Sequence, residues 1–195
     1  MNKVLIVPDS FKGNLSSQEI CEIIGQGVQK FFPNAEIVKL PVADGGEGSV
    51  DAFLQIFGGE KIPVSVSGPY GKPVQTFYGR SGEFAFIEMA AAAGLPLAGT
   101  FCHAEKATTY GVGEVIRDAI DKGCRRFLVG IGGSATNDGG VGMLQALGYG
   151  FLDKDGNQVP FGAKGLKVLE QITDTYVLPE LKECKFKIAC DVTNA

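Results

Sequence analysis

The sequence predicts a three-layer α/β fold around a largely parallel sheet, and three observations carry that expectation. Short continuous apolar runs such as KVLIV, residues 3–7, have the texture of strands covered on both faces. They alternate with stretches of helical apolar spacing, the order that builds helices onto a central sheet. Several strands run into loops of glycine, acid and small hydroxyl residues, as in sheets whose carboxyl edge faces a ligand.

The first strand passes through PDSFKGN into a helix opened by a capping box, Ser16 to Glu19. Ile20, Ile23, Ile24, Val28 and Phe31 hold helical spacing until Pro33. EIVKLPVA, residues 36–43, is the second strand and leads into Asp44-Gly45-Gly46-Glu47-Gly48. Val50, Phe53, Leu54 and Phe57 mark a second helix, stopped at Gly58-Gly59. From 60 to about 106 the texture changes to short alternating runs broken by Gly-Pro and Gly-Lys-Pro, which predicts antiparallel hairpins. The expected division is a main domain of residues 1–62 and 107–195, with 63–106 starting a second, smaller α/β module.

FAFIE, 84–88, brings Glu88 to a strand end before the helix-prone MAAAAGL. Val112, Val115, Ile116, Ala119 and Ile120 form the face of the next helix, ended by Gly123. A strand over 127–131 enters the loop GIGGSATNDGG, 130–140, and Val141, Leu144 and Leu147 continue as helix to Gly148. Residues 153–156, DKDG, read as a turn. Leu166, Leu169 and Ile172 predict one more helix, and KFKIAC, 185–190, a last strand ending in Asp191-Val192-Thr193-Asn194.

An apolar content of 45% with 21% charged residues is ordinary for a globular protein. The 28 glycines are about twice the usual share of roughly 7%. A net charge of −4 with scattered basic residues gives no footprint for nucleic acid. No apolar run approaches the ~18 residues of a membrane span, and the amino terminus reads as a strand and not as a secretory signal. The five cysteines form no C-x-x-C pair, so reduced thiols in a cytoplasmic protein are expected.

Strand-end loops crowded with acids, hydroxyls and bare backbone suit a magnesium-phosphate ligand. Magnesium takes one or two carboxylates plus phosphate oxygens. Backbone amides at a helix start attract anions. The 130–140 loop is therefore expected to face phosphate, with Lys12 as the one cation among these loops. Glu88 reads either as a ligand group or as a dipole partner of the alanine-rich helix beside it. A single histidine, His103, and the absence of G-x-S-x-G argue against a hydrolase triad, and no P-loop pattern occurs. Gly130 to Ala135 fits G-x-G-x-x-A with Asp153 roughly 20 residues onward, so a dinucleotide-dependent oxidoreductase using NAD(P) stays open.

Together these loops resemble the type 1 glycerate kinase family. The matching blocks are VPDSFKGNLSS, PVADGGEGSVDAF, SGPYGKPV, IEMAAAAGL, ATTYGVGEVI, GIGGSATNDGGVGMLQALG and CDVTN, in order along the chain. The resemblance implies a flavodoxin-like α/β domain joined to a second one. It also implies transfer of a phosphoryl group from ATP, with Mg2+, to D-glycerate, giving 2-phosphoglycerate. Family members are about twice this long, so the resemblance is to the amino-terminal half. A non-catalytic ligand-binding fragment therefore stays open too, as does a homo-oligomer.

On that hypothesis Asp191 or Asp44 orients or deprotonates the attacking hydroxyl, and Lys12 supports the transferring group. Ser10, Lys12, Gly45, Gly46, Glu88, Gly132, Gly133, Ser134, Thr136, Asn137 and Asn194 are the candidates for holding phosphate or glycerate. Asp9, Glu47 and Asp138 are the candidates for magnesium.

Overall fold

The computed structural model of the chain describes residues 3–11, 14–43, 45–100 and 103–190. In chain order the elements are β1 (Lys3–Ile6), α1 (Ser17–Phe31), β2 (Glu36–Lys39), α2 (Ser49–Phe57), β3 (Glu60–Ser67), β4 (Pro73–Ser81) and β5 (Phe84–Glu88). Two short helices follow, α3 (Ala90–Ala93) and α4 (Leu95–Ala98), then α5 (Tyr110–Asp121), β6 (Arg126–Gly130), α6 (Val141–Ala146) and β7 (Gly150–Leu152). A 3-10 turn (Ala163–Val168), β8 (Gln171–Thr173), a second 3-10 turn (Pro179–Glu183) and β9 (Lys185–Ala189) complete the chain.

The central sheet has five strands in the order β3-β4-β5-β6-β9. β5, β6 and β9 run parallel, while β3-β4 and β4-β5 are antiparallel hairpins. β1 and β2 form a separate parallel pair, and β7 and β8 an antiparallel one. The hairpins expected over 60–106 are therefore present, but β5 is hydrogen-bonded to β6 along its whole length, so the central sheet crosses the expected boundary at 106.

Alternation along the strands makes this a three-layer structure. Tyr78 on β4 and Ile87 on β5 point into a core with Val112, Val115, Ile116 and Ala119 of α5. The neighbouring positions point the other way: Gly79 leaves room for Val50 and Leu54 of α2, and Phe86 stacks on Phe53 at 4.8 Å. Tyr78 keeps its phenol satisfied by donating to Asp118 Oδ2 at 3.0 Å, as a buried aromatic hydroxyl must. The capping box of α1 forms as predicted, with Ser16 Oγ accepting from the Glu19 amide and the Glu19 carboxylate accepting from the Ser16 amide.

One expected helix is absent. Ile172 lies in β8, paired with Phe151 of β7, and only 163–168 turns helically. The spacing of Leu166, Leu169 and Ile172 imitates a helix, but a 3-10 turn followed by a strand puts apolar residues at the same intervals. Among the described residues no helix is long and apolar enough to cross a membrane.

Candidate functional site

The loops that follow β2, β6 and β9 meet at Gly45. The Gly132 amide donates to Gly45 O at 3.3 Å, and the Ile131 amide donates to Ala189 O at 3.3 Å. A Cβ on Gly45 would lie 2.9 Å from Ala189 O, in a left-handed conformation with φ +91°. A Cβ on Gly130 would collide with the Gly45 carbonyl, and one on Gly132 would lie 2.9 Å from the Gly46 amide nitrogen. Part of the glycine richness of 130–140 thus serves the close approach of one backbone to another.

Beside this junction opens a cleft of about 490 Å³. The loop after β1 supplies Ser10, the start of α2 supplies Glu47, Gly48 and Asp51, and the sheet supplies Phe77 and Glu88. Asp9 is exposed next to Ser10 and accepts the Ser10 amide at 2.6 Å. Glu47 is exposed to solvent, whereas Glu88 is only 4% exposed. Glu88 accepts the Val50 amide at 2.7 Å, so it caps α2, from which it is far in sequence, and not the alanine-rich α3 beside it. Burial pushes the Glu88 carboxyl above its ordinary value; the Val50 amide opposes this, Asp51 adds to it, Lys61 opposes it and Glu47 adds to it. Lys61 is drawn off by Asp51, its ion-pair partner at 2.7 Å on the cleft rim.

Asp138 takes a different place. It is 1% exposed and accepts from the Thr109 amide at 2.8 Å, the Thr109 hydroxyl at 2.9 Å, the Gly140 amide at 3.1 Å and the Gly142 amide at 3.2 Å. Thr108 Oγ1 approaches at 3.4 Å. One carboxylate therefore fastens the starts of α5 and α6 together. Asp138, the third candidate for magnesium, thus has its oxygens turned to the chain's own donors, apart from the exposed carboxylates Asp9 and Glu47.

The phosphate-facing expectation for 130–140 is narrowed in the same way. The amides at the start of α6 are aimed at Asp138, and the Gly132 amide at Gly45. An internal carboxylate held in place meets the dipole of the helix start before any ligand can. Ser134 and Thr136 share a hydroxyl contact at 2.8 Å, with the Thr136 amide donating to Ser134 Oγ at 3.1 Å. Gly133 is exposed at φ +70°, and Asn137 is exposed beyond it. Of the remaining candidates, Gly46 is buried in the junction, while Lys12, Asp44, Asp191 and Asn194 lie outside the described residues.

Asp153, offered as the ribose-binding acid of a dinucleotide site, spends its Oδ1 on the amides of Asp155 and Asn157, each at 2.9 Å. It is a turn residue. Two groups escaped the sequence reading. Asp51 lines the cleft, and Thr108 and Thr109 grip Asp138. The position of the threonine pair directly before α5 was the available signal, because hydroxyl residues favour helix starts. Among the described residues no cluster of three or more His, Cys, Asp or Glu forms a metal site.

Against known proteins, the chain matches the glycerate kinase family over residues 4–195. It is 45% identical over 199 residues to glycerate 2-kinase of Escherichia coli strain K12, covering 98% of this chain and 51% of that one. It is 46% identical over 195 residues to glycerate kinase of Bacillus subtilis strain 168, with 98% and 51% covered. A solved structure from Salmonella typhimurium LT2, provisionally called glycerate kinase 2, superposes with a TM-score of 0.86 at 46% identity, covering 99% of this chain and 52% of that one. The chain spans about half the length of the curated relatives it matches.

Proposed function

The chain belongs to the glycerate kinase family, and from that premise we propose that it takes part in ATP-dependent phosphorylation of D-glycerate in the cytoplasm, with 2-phosphoglycerate as product. The observation that carries the proposal is the family match over residues 4–195 in a chain that opens an acidic cleft at its strand ends.

Phosphoryl transfer asks for positioning and charge neutralisation more than for covalent chemistry. Glu47 is an exposed carboxylate lining the cleft and Asp9 an exposed carboxylate next to the lining residue Ser10, the number and kind that magnesium takes when phosphate oxygens complete its shell. Both are of the donor type the ion takes and would hold it together with phosphate oxygens, and it would supply neutralisation of the charge on the phosphates. Ser10 offers a hydroxyl to glycerate or phosphate from the cleft wall. Lys12 is assigned to the transferring group, and Asp44 or Asp191 to the proton of the attacking hydroxyl. The exposed turn Gly133-Ser134 with Thr136 and Asn137 is assigned to the outer part of a phosphate or glycerate group, and Asn194 to the same ligand.

Glu88 has a narrower role. Its carboxyl fixes the first turn of α2 and thereby the attitude of Glu47 on the cleft wall. The relatives have about twice this length, so the remaining wall of the site is assigned to the part of the fold that this chain does not span.

The test is release of ADP with ATP, magnesium and D-glycerate, measured on this chain and on a chimera in which it replaces the matching half of Bacillus subtilis glycerate kinase. The chimera should turn over, and Asp191→Asn in it should reduce turnover by about a hundredfold or more. A chimera that folds but releases no ADP would overturn the proposal. Phosphorus NMR of the product identifies the hydroxyl that is phosphorylated.

A further inference from the structure

A second hollow lies outside the acidic cleft. It opens between α6 and the segment 158–161, against the first residue of α5, with a volume of about 340 Å³. Tyr110, Gln145, Gln158, Val159, Pro160 and Phe161 line it, and none of them lines the cleft. No lining side chain carries a charge, so nothing here balances a carboxylate or a phosphate. Its size falls at the lower end of the roughly 300–1,000 Å³ of small-molecule sites.

Two features give the hollow its chemistry. One wall is aromatic: the rings of Tyr110 and Phe161 meet at 4.8 Å with a tilt of 47°, and Phe161 is 49% exposed. A planar ring stacks on such an open face. Gly162 follows Phe161 at φ +82°, where a Cβ would lie 2.7 Å from Glu105 O, and the Lys164 amide donates to that carbonyl at 3.3 Å. The loop that carries Phe161 is thereby held in place before any ligand arrives. The other feature is an amide with an acceptor to spare. Gln145 Nε2 donates to Gln158 Oε1 at 3.1 Å and to Val159 O at 3.2 Å, which fixes the orientation of the amide. Gln145 Oε1 is buried and, among the described residues, accepts from no donor. Buried polar atoms nearly always have a partner.

Aromatic walls, no charge and one unfilled acceptor describe the seat of a neutral planar heterocycle bearing an amino group. We propose that this hollow takes the adenine base of a nucleotide, stacked on Tyr110 and Phe161, its amino group donating to Gln145 Oε1 after a small turn of that half-buried side chain. The chain also gives the phosphates a direction. Tyr110 follows Thr109, whose amide and hydroxyl hold Asp138, between the exposed Asn137 and Gly139 of the glycine loop. The base belongs either to the donor ATP or to a separate nucleotide. Naming ATP rests on the kinase reading, whereas the seat itself rests on the residues that line it.

The probe is adenosine, which carries the base without phosphates, and its binding is read by NMR on this chain and on the chimera. Contacts should appear between the base and the rings of Tyr110 and Phe161. Phe161→Ala should weaken binding by about tenfold, the worth of one base–aromatic stack, and Phe161→Tyr should restore it. Purine riboside, which lacks the amino group, should bind more weakly than adenosine, because it leaves the Gln145 oxygen without a donor. In the chimera, Phe161→Ala should raise the KM for ATP by about tenfold with no matching rise for D-glycerate if the seat serves the donor. An unchanged KM for ATP beside adenosine binding assigns the seat to a separate nucleotide. No adenosine signal, a signal that Phe161→Ala leaves unchanged, or equal binding of the two nucleosides overturns the proposal. Failure of the kinase reading shows separately, as a chimera that folds and releases no ADP.

Discussion

The core under α5 and the unit formed by β1, α1 and β2 are written in the same sequence idiom and reach opposite ends of burial. In the first, Tyr78, Ile87, Val112, Val115 and Ile116 are sealed between helix and sheet. In the second, Leu5, Ile23, Ile24 and Phe31 hold the expected spacing but remain largely in water. The difference lies in the partner. α5 faces strands of a five-stranded sheet, whereas α1 faces two strands. Periodicity tells which side of a helix is apolar, and only the width of the opposing layer decides how much of that side is buried.

This contrast can be broken or sharpened by substitution. The largest effect should come from Ile116→Ala, which opens a cavity in the sealed core and should cost about 2–5 kcal/mol in urea unfolding. A loss below half of that would mean the core is looser than its burial implies. Next is Asp138→Ala, which strands the amides of Thr109, Gly140 and Gly142 and should cost about 3 kcal/mol. Asp138→Asn should lose less, because one acceptor oxygen survives, and hydrogen exchange at the first turns of α5 and α6 should rise in both variants.

Glu88→Gln reads a smaller effect through pH. An acid whose folded value lies above its unfolded one binds protons more tightly when folded, so the contribution of Glu88 to stability is fully present below its ordinary 4.5 and is lost as pH rises through the raised value. The variant should lack that slope, and parallel stability–pH curves for the two proteins would show that Glu88 is not the group responsible. Smallest is Phe31→Ser in the chain alone, expected within about 0.5 kcal/mol because the ring is already exposed. A loss of several kcal/mol there would erase the distinction between the two regions.

The local part of the fold was legible in the sequence. The capping box of α1, the hairpins of 60–88 and the strand before the glycine loop each depend on neighbours a few residues away. The family resemblance was legible too, because its blocks are long and come in order. What escaped was the choice of partner over distance. Sequence leaves Glu88 as a ligand group or as a partner of the alanine helix next to it, and its carboxylate reaches the start of α2, a helix lying well before it in the chain. Asp138, a metal candidate by its place in a glycine loop, serves two helix starts through a threonine pair that no spacing rule links to it. An acid in a loop offers the same chemistry to a cation, a helix start or solvent, and composition cannot rank these until the chain has folded.

Gly45 also bears on how such a chain can diverge. It touches the backbone at 130 and 132 on one side and at 189 on another, so a methyl group gained at 45 needs room that only a retreat of those neighbours could give. Positions 45, 130 and 189 are thus tied into one heritable unit although they stand far apart along the sequence, and related chains should change there jointly or not at all.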